Sequence, residues 1–476
     1  MFDLLIVLSR YVFVFYIILF LWQGVVYVAY EQGGYFGNPF RAISVQKRIL
    51  VCYHLTAFLI LGYNRETLMY QWQVVAFGFA GLVFLLVAMY VLNRFYKDGC
   101  PLIWMGVLFL LDTSLIMLQR LNASLAYRQL AFIVFGVFVV LCIPRILKLI
   151  PKFEIFEWAY IIVSYGLLIC TLLFGVSHYG STNWLKIGSI TFQPSEIVKF
   201  LYIFYLASVF RKKVDWKEFL TTGFLSFGLI ILLVFQKDLG SALIFFVTYL
   251  SLLYIATSNL VLMGVGLGSA SIAAIASYHL FSHVQVRVSA WQNPWSDIEG
   301  GGYQIANSLF AITTFGFFGC GLTKGYPTVI PVVESDFIFA AIAEEFGVIF
   351  ACGIIGIFVM LLYRGVRIAL DCGRRYYSIL ALGITAILSF QTFLIIGGVI
   401  KLIPLTGVTL PFISYGGSSV LVSLIMIGLL QWVCIYCKKH GDGTQGKEKK
   451  TPSAKKTAST KEKVEVNEVS GGEAYE

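Results

Sequence analysis

The sequence predicts an all-α polytopic membrane protein with about thirteen transmembrane helices and a long exterior loop. Of its 476 residues, 59% are hydrophobic and 13% are charged, and the mean hydropathy is +0.83. Apolar runs of roughly 17–25 residues recur, which is the length that a helix needs to cross a hydrocarbon layer of about 30 Å. The strands of a membrane barrel would be shorter and would alternate in polarity. We therefore expect helices throughout the membrane.

The predicted spans follow one another up to about residue 436. The first apolar stretch is too long for a signal peptide and lacks a small-residue cleavage site, so we interpret it as a span. The spans are expected near residues 4–30, 48–64, 72–95, 102–119, 129–149, 157–177, 195–211, 217–235, 238–257, 260–281, 337–364, 376–400 and 410–436.

Basic residues lie in alternate loops, and this pattern predicts the orientation of the chain. Cytoplasmic loops carry an excess of Lys and Arg, so we expect the basic loops and the C-terminal tail inside and the N-terminus outside. The net charge of +10 then reflects topology rather than nucleic-acid binding. The predicted cytoplasmic cations are Arg41, Lys47, Arg48, Arg94, Lys97, Arg145, Lys148, Lys152, Arg211, Lys212, Lys213, Lys217, Arg364, Arg367, Arg374 and Arg375.

The residues outside the spans carry few other signals. Residues 438–476 are rich in Lys, Glu, Ser, Thr and Gly, so we expect a disordered basic tail in the cytoplasm. The nine cysteines show no disulfide framework of the secreted type, and Cys434 and Cys437 form a lone CxxC pair at a helix end. The five histidines make no HExxH motif, which argues against a catalytic zinc site.

The long exterior segment, residues 282–335, ends where an apolar span begins, and Asp336 lies at this junction. A loop of this length is commonly functional, and residues 305–313 within it predict a short amphipathic helix. A carboxylate at the start of an apolar run is costly unless it is held at the water interface or is used by the protein. We favour use. The alternative for the loop is that its aromatic residues only anchor it at the interface.

Two other exterior helix starts carry charge. Glu196 and Lys199 are three residues apart, so they share a helical face and can pair; capping alone could explain Glu196 but not the deeper ammonium of Lys199. Asp238 begins another span, where simple N-capping is the stronger interpretation. Glu344 and Glu345 lie about two turns below Asp336 and predict a polar stripe that descends from the exterior surface.

Five separated sequence blocks follow one another over about residues 101–437. The blocks are Trp184 with Gln193-Pro-Ser-Glu-Ile-Val-Lys199, Asp238-Leu-Gly240, Gly302-Tyr-Gln304, Ser335-Asp-Phe-Ile-Phe-Ala340 with Glu344-Glu-Phe-Gly347, and Pro404-Leu-Thr-Gly407 with Leu410-Pro-Phe-Ile-Ser-Tyr-Gly-Gly-Ser-Ser419. In residues and in order, these blocks resemble the SEDS family, which includes FtsW, RodA and SpoVE. The resemblance predicts a ten-helix core preceded by three additional helices in residues 1–100.

The resemblance implies a peptidoglycan glycosyltransferase that polymerises lipid II at the outer face of the bacterial cytoplasmic membrane during division or elongation. It also implies a class B penicillin-binding protein as transpeptidase partner, together with other divisome or elongasome proteins, and no organic cofactor. Lys237, Ile395 and Lys401 depart from the commoner family pattern, and the sequence looks most like FtsW of Gram-positive, clostridia-like bacteria. The additional helices carry none of the blocks, so we expect their removal to affect assembly or partner binding more than polymerisation.

The chemistry requires a base for the acceptor hydroxyl and a group that stabilises the departing pyrophosphate. Asp336 is the predicted base and a possible ligand for a divalent cation, Mg²⁺ or Mn²⁺; Arg287, Lys199 or that cation are the candidates for the pyrophosphate. Residues expected to bind substrate or support the site are Trp184, Gln193, Glu196, Lys199, Asp238, Arg287, Gln304, Glu344, Glu345, Ser414 and Ser418. The same intramembrane charges would also suit a lipid II flippase, and a non-catalytic division scaffold is a third possibility.

Overall fold

Among the described residues of this computed structural model, twelve helices are long and apolar enough to cross a membrane. A further apolar helix, Pro194–Phe210, is shorter, at 17 residues. The structure describes residues 2–33, 38–64, 67, 69–149, 153–178, 181–188, 190–212 and 215–445. The predicted all-α polytopic membrane architecture is therefore confirmed.

Most helices begin within a few residues of the predicted positions, but α2 and α5 begin earlier than predicted and α16 begins later. Three helices have proline in the first turn, where its missing N–H costs nothing. They are α1 (Phe2–Glu31), α2 (Pro39–Leu61), α3 (Trp72–Phe95), α4 (Pro101–Leu121), α5 (Ala123–Leu149), α6 (Glu157–Phe174), α7 (Pro194–Phe210), α8 (Trp216–Phe235), α9 (Leu239–Thr257), α10 (Leu260–Leu280), α11 (Ser282–Gln292), α12 (Tyr303–Thr314), α13 (Ile338–Phe346), α14 (Val348–Leu370), α15 (Arg375–Val399) and α16 (Gly417–Gln445). The amphipathic helix predicted in the exterior loop is α12.

The predicted span at 337–364 was wrong in one respect, because the chain breaks at Gly347 into α13 and α14. Gly347 has φ of +93°, a conformation that favours glycine. A Cβ at this position would also clash with the main-chain oxygen of Phe317. The break separates a short helix after Asp336 from the membrane-crossing helix that follows it.

Two small antiparallel sheets, which the sequence did not predict, lie between helices. In one, β1 (Tyr63–Asn64) pairs with β2 (Met69–Tyr70). In the other, β3 (Val176–His178), β4 (Ser181–Ile187) and β5 (Ile190–Phe192) pair in that order. The main-chain N–H of Thr182 in β4 donates to Gln236 O at the end of α8, 3.1 Å away. This contact fixes the sheet beside the start of α7.

The three N-terminal helices pack on the rest of the protein through polar contacts, one of them buried and one, at Glu31, partly exposed. His54 of α2 bonds to Asp112 of α4, with 2.6 Å between Nδ1 and Oδ1, and its Nε2 lies 2.8 Å from Gly78 O of α3. Glu31, at the end of α1, forms an ion pair with Arg364 of α14. Sequence patterns do not indicate these pairs, because their members are far apart along the chain.

The C-terminal helix carries a disulfide that the sequence did not predict. Cys437 of α16 is bonded to Cys372, in the connection between α14 and α15. The helix continues to Gln445, so the first part of the predicted tail is helical. The remainder of that tail, residues 446–476, lies outside the described residues.

Candidate active site

Asp336 lies in a tight turn between the exterior loop and α13. The main-chain N–H groups of Ser335 and Asp336 both donate to Val332 O, at 3.2 and 3.1 Å. Val332 has φ of +58°, which is rare for a β-branched residue. Strained backbone of this kind persists where surrounding contacts enforce it, and it is frequent at functional sites.

The loop before α16 holds this turn in place. Ser414 Oγ donates to Ser335 O and accepts a hydrogen bond from Leu410 N at 2.9 Å. The main-chain N–H of Tyr415 donates to Glu334 O at 2.8 Å. The two family-like blocks, far apart in sequence, therefore form one folded unit around Asp336.

A buried glutamine that sequence reasoning missed supports this unit from α5. Gln129 Nε2 donates to Ser414 O at 3.1 Å, and its Oε1 accepts a hydrogen bond from Gly416 N at 3.4 Å. Glutamine inside a predicted span is an unusual residue, which is the signal that could have identified it.

The environment of Asp336 makes it a stronger base than an ordinary aspartate. Burial raises the pKa of its carboxyl to about 6. A hydrogen bond from Ser335 Oγ to Oδ1, at 3.0 Å, and the charge of Arg287 limit the rise in pKa, whereas Glu334 adds to it. Catalytic bases work best with a pKa near the operating pH.

Arg287 of α11 is the cation beside Asp336. Its Nη1 donates to Thr406 O at 3.0 Å. A Cβ built on Gly407 would lie 3.5 Å from Arg287 Nη2 and 3.7 Å from Asp336 Oδ2, so glycine leaves open the space that borders both groups. Gly407 also has φ of +71°, which disfavours other residues.

Further positive charge lies near Arg287. The pKa of His283 is lowered by burial and by the neighbouring charges of Arg287 and Lys237. Charged groups of this kind, next to an open space, suit a phosphate-bearing ligand. Sequence reasoning did not select His283, because a single histidine in a polar segment is not informative.

Asp238 caps α9, as the simpler interpretation predicted. It accepts hydrogen bonds from Ser241 N at 3.1 Å and Ser241 Oγ at 2.9 Å. Gln193 Nε2 donates to it at 3.0 Å, Asn183 Nδ2 at 3.2 Å and Ser195 Oγ at 3.4 Å. Its carboxylate therefore joins the β3–β4–β5 sheet, the start of α7 and the start of α9.

The predicted pair of Glu196 and Lys199 is confirmed. Lys199 Nζ lies 2.8 Å from Glu196 Oε1 and 3.0 Å from Gln391 Oε1, and Lys199 is 1% exposed. Gln391 Nε2 in turn donates to Thr409 O at 2.8 Å. The ammonium of Lys199 is buried and its hydrogen-bond acceptors are already in place. Arg287, rather than Lys199, is therefore the candidate to bind the pyrophosphate.

Glu344 and Glu345 do not continue a polar stripe from Asp336, contrary to the prediction. Glu344 Oε1 accepts a hydrogen bond from Tyr326 N at 2.7 Å, and Glu345 Oε1 lies 3.0 Å from Arg120 Nε of α4. The two carboxylates hold the exterior loop against α4 and α13. Since α13 begins only at Ile338, Asp336 is outside the helix whose periodicity suggested a shared face.

Three predicted residues occupy peripheral positions. Trp184 lies on β4, opposite Val176. Gln304 lies in the first turn of α12 and Ser418 in that of α16; both are half-buried and take no part in the hydrogen bonds around Asp336. The neighbouring Ser419 makes a contact of 2.7 Å with Thr409 Oγ1 instead.

Within the described part of the chain, no group of three or more His, Cys, Asp or Glu side chains could hold a metal ion. Mg²⁺, however, is commonly held by one or two carboxylates together with substrate phosphates. Asp336, beside the open space at Gly407, fits that kind of shared coordination.

The chain is similar to proteins of cell-wall synthesis. A family described as cell cycle protein, FtsW, RodA and SpoVE, matches residues 98–439. Peptidoglycan glycosyltransferase RodA of Mycobacterium tuberculosis is 29% identical, covering 80% of this chain and 88% of the relative. The probable peptidoglycan glycosyltransferase FtsW of Trichlorobacter lovleyi is 32% identical, covering 68% and 88%. Stage V sporulation protein E of Bacillus subtilis is 34% identical, covering 58% and 78%.

Solved structures share the fold. One chain from a peptidoglycan synthase complex that coordinates polymerization and crosslinking superposes with a TM-score of 0.61 at 24% identity, covering 70% of this chain and 97% of that one. The rod shape determining protein RodA of Thermus thermophilus gives a TM-score of 0.51 at 22% identity, covering 71% and 96%.

Proposed function

The chain belongs to the FtsW, RodA and SpoVE family and is a peptidoglycan glycosyltransferase of cell-wall synthesis, and from this premise we propose that it polymerises lipid II at the outer face of the cytoplasmic membrane with Asp336 as general base. The observation that carries the proposal is the position of Asp336. Its carboxyl, with a pKa raised by burial to about 6, borders an open space that Arg287 also borders.

In this mechanism the 4-hydroxyl of the acceptor sugar attacks the anomeric carbon of the donor. A new glycosidic C–O bond forms, the bond from that carbon to the lipid pyrophosphate breaks, and the hydroxyl proton moves to Asp336. The leaving pyrophosphate gains negative charge, which Arg287 is positioned to stabilise through the planar donors of its guanidinium. Lys237 adds positive charge to the same region.

A divalent cation, when bound, would offset the charge of the pyrophosphate. Asp336 is the carboxylate that would hold it, together with substrate oxygens. Asp336 could then serve as ligand, as base, or as both in turn.

The proposal is tested with purified protein, its cognate class B partner, lipid II and Mg²⁺, with glycan chain length as the readout. Asp336→Asn keeps the size of the side chain but cannot take the proton, so polymerisation should fall by roughly 10²–10⁴-fold. Binding of lipid II should remain. Asp336→Glu should retain little activity, because one methylene displaces the carboxylate in a site that depends on geometry.

Glu334→Gln is the matched control for this experiment. Glu334 is the carboxylate two residues before Asp336, and it contributes its main-chain oxygen, rather than its side chain, to the bond with Tyr415. This variant should keep most polymerisation. Normal glycan synthesis by the Asp336→Asn variant would instead exclude Asp336 as the general base and would favour the transport hypothesis.

Lipid II transport is the alternative that the same charges suggested. It would require charged groups along a path across the membrane, whereas Lys199 is buried and already paired with Glu196. This arrangement gives transport no specific support.

We also propose how the chain is oriented in the membrane and which kind of protein is its partner. With the N-terminus outside, a cysteine replacing Lys324 should react with an impermeant thiol reagent from outside, and one replacing Arg374 should not.

A class B penicillin-binding protein should copurify with the chain and lengthen its glycan products. Relatives of the FtsW, RodA and SpoVE types have similar identities of 29–34%, so the FtsW-like subtype remains a prediction that localisation in cells would test.

A further inference from the structure

A groove of about 800 Å³ lies between α2 and α3, at the end of these helices that we predict to be cytoplasmic. Four cations line it: Lys47 and Arg48 from α2, and Arg94 and Lys97 from the end of α3 and the residues after it. All four precede residue 98, where the family match begins. The established activity therefore assigns no role to this groove.

None of the four cations makes an ion pair or side-chain hydrogen bond with another described residue. The acidic residue that follows Lys97, Asp98, pairs instead with Lys439, whose Nζ lies 3.6 Å from its carboxylate. Like charges that line one groove repel each other, and the repulsion is stronger near a membrane than in bulk water. An anionic ligand would remove this cost.

The groove has two levels along the helix axes. Val51 lies one turn beyond Lys47 on the same face of α2, and Leu86 and Tyr90 lie one to two turns deeper in the membrane than Arg94 on α3. The deeper wall is apolar, and Leu86 and Tyr90 are 49% and 72% exposed. The groove thus combines a cationic rim with an open apolar wall.

We propose that this groove binds an anionic phospholipid. Its phosphate lies among Lys47, Arg48, Arg94 and Lys97, and its acyl chains lie along Val51, Leu86 and Tyr90. Basic pockets between transmembrane helices on the cytoplasmic side bind anionic head groups in this way. A soluble anion would use the cations but would leave the apolar wall uncovered.

The test is native mass spectrometry of the full-length protein in detergent, titrated with phosphatidylglycerol or with phosphatidylcholine of the same acyl chains. Replacing the four groove cations by Gln should weaken phosphatidylglycerol binding by about tenfold or more, because each cation near an anionic lipid contributes to binding. Leu86→Trp, which fills the apolar level without changing charge, should weaken it as well. Phosphatidylcholine should bind weakly to the wild type and be unaffected by these substitutions.

A second quadruple Gln variant serves as the matched control, because it removes the same charge from exposed cytoplasmic positions outside the groove. These positions are Lys148, Lys217, Arg367 and Arg374. Phosphatidylglycerol binding should change by less than about twofold in this variant.

Three results would overturn the proposal. Equal weakening in both quadruple variants would show diffuse surface attraction rather than a site. Unchanged binding in both the groove variant and Leu86→Trp would show that the lipid lies elsewhere. Displacement of phosphatidylglycerol by millimolar glycerol phosphate in the wild type would indicate a site for soluble anions.

Discussion

The hydroxyl of Ser414 donates a hydrogen bond to the main-chain oxygen of Ser335, the residue before Asp336. The same hydroxyl accepts a hydrogen bond from Leu410 N, so it is used both as donor and as acceptor. Gln129 of α5 holds the main chain of Ser414 in turn. The position of the proposed base is therefore set by residues that precede α16 and by a helix from the other half of the sequence.

Ser414→Ala should lower the turnover number of polymerisation by about tenfold or more, because small displacements of a catalytic group are costly. The substitution leaves Leu410 N and Ser335 O without their partner, at a cost of about 1–3 kcal/mol in stability. The Michaelis constant for lipid II should change little. Steady-state kinetics and thermal unfolding measure the two effects.

Ser418→Ala provides the control, since Ser418 is half-buried near the same loop but has no hydrogen-bond partner among the described residues. It should behave like the wild type. Equal losses in the two variants would mean that the hydrogen bonds of Ser414 do not position Asp336.

The pH dependence of polymerisation should report the ionisation of Asp336. The base must be ionised, and its pKa is raised from the usual aspartate range to about 6. Activity should therefore be full well above pH 6 and should fall as the pH drops through 6, by roughly tenfold at pH 5. The measurement is the ratio kcat/KM for lipid II from pH 5 to 8.

Two variants should move this acidic limb to higher pH. Arg287→Gln removes a charge that lowers the pKa of Asp336, and Ser335→Ala removes a hydrogen bond that does the same. Arg287→Gln should also reduce the plateau, because Arg287 is proposed to meet the pyrophosphate. An acidic limb that stays at the wild-type pH in both variants would argue that another group titrates.

The ion pair of Lys199 and Glu196 should show strong coupling. Both side chains are buried, so neutralising one strands the other at a cost of about 3–5 kcal/mol. Glu196→Gln and Lys199→Met alone should each be more destabilising than the two together. The measurement is a double-mutant cycle on thermal unfolding in detergent; strictly additive effects would contradict an energetic pair.

Patterns along the chain predicted the number and position of the membrane helices, because a span is a local property of twenty or so residues. They also placed Asp336, Asp238 and the Glu196–Lys199 pair at helix starts, where caps and i, i+3 spacing are local. The partners that define the site are not local. Gln129 and Gln391 reach the loop before α16 from other helices, and no spacing rule identifies such contacts.

The prediction of a polar stripe from Asp336 to Glu344 was wrong for a related reason. Helical periodicity applies only while the helix is continuous, and the chain enters α13 after Asp336 and leaves it at Gly347. The glycine is demanded by its close approach to the main chain of Phe317. That contact depends on how a distant loop folds back, which the sequence of the span does not encode locally.

The buried pairs of the N-terminal helices lead to a prediction that revises the one made from sequence. Removing residues 1–97 deletes Glu31 and His54, which leaves Arg364 and Asp112 buried without their partners. The stranded Asp112 should cost about 3–5 kcal/mol if it remains charged, and the stranded Arg364 should cost less because its partner Glu31 is already partly exposed. The main effect of the truncation should therefore be poor folding, rather than a loss of partner binding in a folded protein. Size-exclusion chromatography measures it.

A truncated protein that also carries Asp112→Asn and Arg364→Met removes both stranded charges and should recover a monodisperse peak. The core that holds Asp336, Arg287 and Ser414 lies entirely after residue 100, so this rescued form should polymerise lipid II. The full-length chain with the same two substitutions is the control for their own effect. If the rescued form is monodisperse but inert, the N-terminal helices belong to the active unit. If the plain truncation is already monodisperse and active, the buried pairs contribute far less to stability than their burial implies.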